Sequence, residues 1–394
     1  MGDVVERVVR KNTNNESSLP LTISAQYGLV DQITYFNNRV ASKDLSNYYL
    51  VYNGEFAYNK STSDGFPFGA VKRLDLYEKG VLSTLYIVFS IKAPEEIDSN
   101  YLAVFFDTDR WHKGVSERAA EGARNHGLLN ISAEDFFEIE VSLPRLQREQ
   151  QSISTFFRHL DNLIAHHQCK YTKIVNIKKA MLEKMFPKDG APVPEIRFSG
   201  FTDAWEQRKL GEVATLLTGF PFESKKFTDN GIKLIRGMNV KRGYLDFSDG
   251  LCEHWASPDG LENYLLKSGD ILIQMDGALI GTSYAKIAEN QLPALLVQRV
   301  TRARVLTDKA DGTFIYQEIQ KGFLPYIKGT KTETAVPHLS LNDITDFPIA
   351  IPSINEQKKI GTYFENLDRL ITLHQRELER LQNIKKSCLE KMFV

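Results

Sequence analysis

The chain lacks most of the features that would reveal chemistry or a cellular location in a protein of 394 residues. Its 3 cysteines are widely separated and form no CxxC pair, which argues against disulfides or a cysteine zinc site and favours a reducing cytoplasm. No run of about 18 apolar residues occurs, so no membrane span is expected. Lys and Arg number 49 against 50 Asp and Glu, so any DNA binding must come from local patches.

Catalytic motifs are also missing. The sequence contains no GxxxxGK[ST] phosphate loop, no [ND]PP[FY] tetrad of amino-methyltransferases, no glycine-rich loop for S-adenosylmethionine, no HExxH and no GxSxG. His166 and His167 are neighbours on a predicted helix, where side chains point about 100° apart and cannot share a metal ion. We therefore expect a chain that is not an enzyme by itself and that holds no metal.

What the sequence does contain is a long internal repeat. Residues 153–186 and 360–393 are identical at 18 of 34 positions, at a constant offset of 207 residues. The similarity continues upstream, where 129–144 (LNISAEDFFEIEVSLP) matches 337–352 (PHLSLNDITDFPIAIP) and Asn53-Gly54-Glu55 resembles Ser268-Gly269-Asp270. This pattern indicates a duplicated plan: a globular unit, a short strand that ends at proline, then a long helix.

Apolar residues at spacings of three and four predict one long helix in each copy. The spacing holds over four to five heptads and favours two helices that pair antiparallel within the chain as a coiled coil. The alternative is that each helix packs on its own domain. A helix of about 40 residues measures about 60 Å. The residues predicted to form the helix-pair interface are Ile153, Phe157, Leu160, Ile164, His167, Ile174, Met181, Ile360, Phe364, Leu367, Ile371, His374, Leu378 and Leu381.

The predicted fold class is α/β of the α+β kind, with an internal pseudo-two-fold repeat. It places β-rich domains at 1–144 and 205–352, helices at 145–186 and 353–394, and a Pro/Gly linker at 187–204. Runs rich in β-branched and aromatic residues predict strands at 48–57, 81–91, 232–236, 270–274, 295–305 and 343–351.

Several segments together resemble one family. They are PEIRFSGFTDAWEQRKLGEVATL (194–216), LKSGDILIQMDGALIG (266–281), IPSINEQKKIGTYFENLDRLITLHQ (351–375) and NIKKSCLEKMF (383–393). These segments, their order and the duplication are similar to the specificity subunit of Type I restriction–modification enzymes. Met1 stands where Leu210 stands in the second copy, so the usual leader before the first domain has no counterpart.

The resemblance implies a DNA-recognition subunit without catalytic activity. The domains at 1–144 and 205–352 would be target recognition domains, each reading half of a bipartite, asymmetric site in double-stranded DNA. The helices would set the spacer between the halves and dock two modification (methyltransferase) subunits. Those partners would carry S-adenosylmethionine, and restriction subunits would add ATP- and Mg-dependent translocation and cleavage. The alternatives are a standalone two-domain DNA-binding regulator and a pure protein scaffold.

Base reading needs side chains with several donors and acceptors on loops that reach the major groove. The net charge differs in sign between segments, because residues 145–186 hold 8 Lys/Arg against 3 Asp/Glu whereas residues 1–144 hold 14 Lys/Arg against 20 Asp/Glu. The acidic first domain suggests that partner subunits supply much of the DNA clamp. The candidate DNA-binding residues are Asn59, Lys60, Ser61, Thr62, Lys72, Arg73, Arg118, Arg124, Asn125, Arg236, Asn239, Lys241, Arg242, Gln274, Asp276, Lys328, Thr330 and Lys331.

Overall fold

The computed structural model describes residues 1–24, 27–62, 66–119, 127, 129–188, 190–248, 250–277, 280–330 and 338–393. The chain divides into two compact units, which we call unit 1 (Met1–Gln168 with Arg376–Val394) and unit 2 (Cys169–Gln375). Within the described ranges, no helix combines the length and the apolar character that crossing a membrane requires.

Unit 1 is built on short antiparallel strands. They are β1 (Val5–Arg7), β2 (Leu21–Ser24), β3 (Gly28–Asp31), β4 (Tyr49–Tyr52), β5 (Phe56–Asn59), β6 (Ala70–Arg73), β7 (Lys79–Leu82) and β8 (Ile87–Ile91). The main sheet has the order β1-β8-β5-β6, and β2 pairs with β3 and β4 with β7. The short helices are α1 (Gln32–Phe36), α2 (Ser99–Phe105), α3 (Asp109–Arg118) and α4 (Ala133–Glu138).

Unit 2 repeats this plan with additions. Its strands are β9 (Glu206–Lys209), β10 (Ala214–Thr218), β11 (Ile232–Ile235), β12 (Glu253–Trp255), β13 (Ile271–Gln274), β14 (Tyr284–Lys286), β15 (Ala294–Leu296), β16 (Val300–Val305) and β17 (Pro348–Ile351). The main sheet has the order β10-β16-β13-β14, a second has the order β12-β11-β15, and β17 pairs with β9. The helices are α6 (Leu210–Val213), α7 (Gly312–Thr330) and α8 (Leu341–Thr345).

Two long helices, α5 (Gln147–Lys184) and α9 (Ile354–Met392), pack together and each contributes to both units. In unit 1, Asp161 pairs with Lys385 at 2.7 Å and the ring of Phe157 contacts Phe393. In unit 2, Lys178 pairs with Asp368 at 2.6 Å. Partner numbers fall along α9 as they rise along α5, so the packing is antiparallel. The predicted fold class and helix pairing are confirmed.

The predicted helix-pair residues follow this packing. None of them is exposed, and Phe157, Leu160, Ile360, Phe364 and Leu378 are fully buried. Apolar burial along one face of each helix is what a coiled-coil seam requires, because the opposite face stays in contact with water. The two ends of the seam also join the domain cores, through Phe157 in unit 1 and Phe364 in unit 2.

The internal repeat extends to hydrogen bonds at the start of the third sheet strand. Gly54 and Gly269 both adopt positive φ, at 85° and 87°, a backbone conformation that glycine adopts without steric cost. The next residue in each copy is a buried acid: Glu55 accepts from the Tyr52 N–H and Asp270 from the Lys267 N–H, at 2.8 and 2.7 Å. Each turn is thus closed by the same device.

Three of the predicted strands are interrupted by turns, which is a correction to the sequence interpretation. The run 48–57 divides into β4 and β5 at Gly54, and 81–91 divides into β7 and β8 where the Tyr86 N–H bonds to the Ser83 carbonyl. The run 295–305 divides into β15 and β16 at Arg299, whose φ is 69°. The first part of 343–351 belongs to α8, because Ser340 and Asp343 form a capping box.

Candidate nucleic-acid interface

The loops that follow β5 and β13 occupy the same position in the two units. Each strand is the third in its sheet order, between equivalent neighbours. The Leu129 N–H donates to the Lys60 carbonyl at 2.9 Å, and the Leu339 N–H donates to the Met275 carbonyl at 2.7 Å. Both donors lie shortly before a capped helix, α4 or α8. The sequence candidates at 59–62 and 274–276 therefore occupy equivalent loops of the two units. We call each of these loops the corner of its unit.

In unit 1 this corner is polar. The Asn59 side chain accepts from the Ser61 N–H at 3.0 Å, and the Thr62 hydroxyl donates to the Gly127 carbonyl at 3.1 Å. Lys60 extends its ammonium to the Ile131 carbonyl at 3.1 Å, so part of its charge is used within the domain. Ser61 is exposed, and Asn59 and Thr62 are half-buried. The corner thus offers an amide and hydroxyl groups.

The other described candidate cations of unit 1 form bonds within their own domain. Lys72 pairs with Asp107 at 3.4 Å. Arg73 contacts Asp75, Ser99 and Asn100, and its side chain is 19% exposed. The Arg118 guanidinium donates to the Glu138 carbonyl at 2.9 Å. Binding of Lys72 or Arg73 to DNA would therefore break bonds that the domain already makes. Arg124 and Asn125 lie outside the described residues.

In unit 2, Asn239 belongs to the loop framework and cannot reach DNA in this conformation. It is fully buried, and its amide donates to the carbonyls of Asp246 and Leu251 at 2.9 and 2.8 Å. Its side-chain oxygen accepts from the Arg236 N–H at 3.0 Å. The Arg236 guanidinium donates to the Leu251 carbonyl at 3.0 Å. Asn239 is thus corrected from a candidate reader to a loop-forming residue, because every polar group of its amide is used internally.

The remaining candidates of unit 2 lie at or near the surface. Lys241 is half-buried, and Arg242, Lys328 and Thr330 are exposed. Arg242 also lies beside Tyr284, where burial raises the pKa of the tyrosine so that its hydroxyl stays protonated at neutral pH. The Thr330 hydroxyl donates back to the Tyr326 carbonyl at 2.9 Å, as helix-terminal threonines commonly do. Lys331 lies outside the described residues.

A cleft of about 380 Å³ opens at the corner of unit 2. Gln274 and Asp276 form part of its wall, together with Arg236, the exposed Met238 and the aromatic rings of Phe222 and Phe227. Arg299, a residue that the sequence interpretation missed, completes the polar side and forms an ion pair with Asp276. The only signal for Arg299 in the sequence was its place within the run 295–305, which reads as a continuous strand.

The paired helices present both charge and apolar surface to solvent. Lys173 and Lys179 are exposed, whereas Lys178 is held by Asp368 and by the Gln320 side chain at 2.8 Å. Several large apolar side chains also remain exposed on the helices, namely Phe156, Leu163, Ile177, Leu370, Leu373 and Ile384. Single exposed apolar side chains are normal on protein surfaces, whereas a contiguous patch of them marks a site that binds another protein.

Among the described residues, no cluster of three or more His, Cys, Asp or Glu side chains is arranged to hold a metal ion. The buried carboxylate of Asp270 is held by Arg304 through two contacts of 2.7 Å, which gives it a structural role. The arrangement of the corner, with amides, hydroxyls and a guanidinium on loops, suits hydrogen bonding to a ligand.

Comparisons with known proteins agree with this geometry. A family profile described as the Type I restriction modification DNA specificity domain matches residues 202–383. The MjaVIII specificity subunit of Methanocaldococcus jannaschii is 25% identical over 323 residues, covering 80% of this chain and 73% of that protein. The EcoAI and EcoBI specificity subunits of Escherichia coli are 29% and 30% identical over 48% and 46% of this chain.

The chain spans 33% and 35% of the lengths of the two E. coli proteins. The crystal structure of the S subunit of a Type I restriction–modification system from M. genitalium matches with a TM-score of 0.65. That match has 15% sequence identity and covers 100% of this chain and 94% of the other, so it supports the fold. The chain is therefore similar to the specificity subunits of Type I restriction–modification enzymes, and residues 202–383 match the profile of that DNA specificity domain.

Proposed function

We propose that the chain is the DNA sequence-recognition subunit of a Type I restriction–modification complex, in which unit 1 and unit 2 each read one half of a bipartite site. The observation that carries this proposal is the repeated corner, where a backbone N–H shortly before the capped helix, that of Leu129 or Leu339, donates to the equivalent loop carbonyl and braces a loop of unlike side chains. A shared framework with different hydrogen-bonding groups is what reading two different half-sites requires.

The two corners differ in chemistry. Asn59 and Ser61 in unit 1 correspond by strand position to Gln274 and Asp276 in unit 2. Asn and Gln both match the edge of adenine, whereas a carboxylate accepts hydrogen bonds, as from the amino group of cytosine. The half-sites should therefore be unlike, and the complete site asymmetric.

The paired helices set the distance between the half-sites and dock two modification subunits in this proposal. The exposed apolar residues of α5 and α9 supply contact area, and Lys173 and Lys179 supply positive charge near the DNA or the partner. Because residues 1–144 carry 14 Lys/Arg against 20 Asp/Glu, the partners should supply much of the phosphate contact. The chain alone should then bind DNA weakly and with strong dependence on salt.

Catalysis resides on other subunits in this scheme. The modification subunits would hold S-adenosylmethionine and methylate adenine, which must leave the base stack at an energetic cost of a few kcal/mol. Restriction subunits would use ATP and Mg. The sparse cysteines fit action in the cytoplasm.

The test is co-expression of the full chain with the modification subunits of its own system in cells that lack adenine methylation. Long-read sequencing of the genomic DNA should then find methylated adenine in one split sequence, and native mass spectrometry should find two modification subunits per chain. Modification subunits expressed without the chain serve as the control and should leave the DNA unmethylated.

A complex that forms but methylates no split sequence would contradict the proposal. So would a chain that binds one operator tightly without partners, since that is the behaviour of a standalone regulator.

A further inference from the structure

The cleft of unit 2 contains an arginine in an unusual backbone conformation. Arg299 lies between β15 and β16 with φ at 69°, in the left-handed region that a residue with a side chain rarely adopts. Its carbonyl accepts from the Met275 N–H at 2.9 Å, so the strained turn is fastened to the loop that follows β13. Strained residues persist where the surrounding structure holds them, and they cluster at binding sites.

The guanidinium of Arg299 is both exposed and oriented. Its side chain is 66% exposed, while that of its ion-pair partner Asp276 is 19% exposed. A fixed carboxylate behind an exposed guanidinium limits the rotamers of the arginine without covering it. The remaining N–H groups can therefore point outward in a defined direction, which favours recognition of a planar partner by two hydrogen bonds.

Gln274 stands beside this pair with its amide between two glycines. A Cβ atom added at Gly237 or Gly277 would lie 3.3 or 3.4 Å from the Gln274 side-chain nitrogen. The glycines thus leave the space that the amide occupies. The wall behind is apolar, with Phe222 buried and Met238 48% exposed. The cleft thus combines the Arg299 guanidinium as a donor, the Asp276 carboxylate as an acceptor and the Gln274 amide with an apolar wall.

This combination fits a base edge better than a phosphate. A phosphate bound by Arg299 would approach the Asp276 carboxylate, which repels it, whereas a guanine presents two acceptors, O6 and N7, to the guanidinium. The Asp276 carboxylate can in addition accept from the amino group of the paired cytosine. Unit 1 carries Leu85 at the position that corresponds to Arg299, 74% exposed and unable to donate a side-chain hydrogen bond.

We propose that Arg299, positioned by Asp276, is a specificity-determining residue of unit 2 that recognises guanine in a G·C pair of its half-site. The inference rests on the proposed function and deepens it, because it names one base pair and the residue that reads it. Unit 1 should read its half-site without a counterpart of this contact.

The experiment uses the complete modification complex in cells that lack adenine methylation, with Arg299→Ala, Arg299→Lys and Asp276→Asn compared with the natural chain. We expect the natural chain to give one split sequence with a guanine or its paired cytosine in one half. In Arg299→Ala, that single position should become degenerate, with discrimination falling about 10- to 100-fold, while the other half-site stays unchanged. Arg299→Lys keeps the charge but loses the fork, so it should relax the same position.

Arg208→Ala is the matched control, since Arg208 is a half-exposed arginine of unit 2 on β9, ion-paired to Glu206 and Glu212. It should leave the recognised sequence intact. Absence of any methylation with the natural chain would overturn the proposed function. Suppose that the natural chain directs methylation of one split sequence, and that Arg299→Lys directs methylation of the same sequence, either equally well or at a uniformly lower level without degeneracy. That result would overturn only the assignment of Arg299. If Arg299→Ala fails to assemble with the modification subunits, the Lys variant decides.

Discussion

A buried carboxyl group in unit 2 should make the stability of the chain depend on pH. Glu318 lies on α7, fully buried, and its Oε1 atom has no hydrogen-bond partner among the described residues. Burial raises the pKa of Glu318 from 4.5 to about 7, while nearby Lys321 and a hydrogen bond from the Ala350 N–H oppose that shift only in part. The carboxyl group is therefore protonated in the folded chain under conditions where it is ionised in the unfolded chain.

The direction of the effect follows from proton linkage. At pH values below about 4.5 the group is protonated in both states and does not affect stability. As pH rises from 4.5 through 7, the folded state must keep a proton that the unfolded state releases, so the free energy of unfolding falls. A difference of about 2.5 pKa units corresponds to about 3 kcal/mol, reached above pH 7.

The perturbation is Glu318→Gln, which keeps the size of the side chain and removes its ionisation. Urea unfolding at pH 5, 6, 7 and 8 should show that the natural chain loses about 2.5 kcal/mol more than the variant between pH 5 and pH 8, because part of the effect is already present at pH 5. For a unit of this size, that difference corresponds to about 5–10 °C in Tm. Glu289→Gln, at an exposed site of the same unit, should follow the natural pH profile.

The comparison of slopes matters more than absolute stability, because packing an amide in place of a carboxyl has its own energetic effect at every pH. The reasoning would be refuted if Glu318→Gln and the natural chain lost stability in parallel across this range. It would also be refuted if the natural chain became more stable from pH 5 to 8 relative to the variant.

Three further predictions concern the helices. The Lys178–Asp368 pair, at 2.6 Å with the lysine 13% exposed, should give a coupling energy of about 1 kcal/mol in a double-mutant cycle followed by urea unfolding, and no coupling would contradict its role in the helix pair. Phe393→Ala should destabilise unit 1 by about 3–5 kcal/mol because the ring is buried against Tyr101 and Phe157. Met392→Ala, at the neighbouring exposed residue, should change Tm little. Equal effects of the two substitutions on Tm would refute the role of the Phe393 ring. Seven residues inserted into facing turns of α5 and α9 add about 10 Å, so the methylated sequence should gain up to about three base pairs of spacer, and an unchanged spacer would separate helix length from site geometry.

The sequence predicts the long helices well because their information is local and repeated. A heptad pattern places α5 within two residues of 147–184, and the same pattern selects the residues that are buried in the helix pair. Two copies of the pattern, at a constant offset, also indicate which segments are equivalent.

The strands and the candidate readers are less predictable because burial and turn geometry depend on distant parts of the chain. Asn239 looks like a free polar loop residue, yet its amide bonds to the carbonyls of Asp246 and Leu251, twelve positions away in the second case. Arg299 looks like a strand residue, because a positive φ at a non-glycine position leaves no signal in the sequence. Lys72 and Arg73 look like exposed cations but are neutralised by partners 2 to 35 positions away.

The two units share their turns and helix caps but differ in the side chains of the braced corner. The glycine turn with its acid and the serine–aspartate cap recur in both units, and in each unit a backbone N–H shortly before the cap braces the loop. The side chains at the braced corner differ, as Asn59 against Gln274 and Ser61 against Asp276 show. Because none of the recurring bonds uses the side chains at these corner positions, a corner side chain can change without loss of the turn that presents it. Recognition by one unit can therefore change by substitution while the framework of that unit stays intact, which is the property that a subunit needs if its task is to define a DNA sequence.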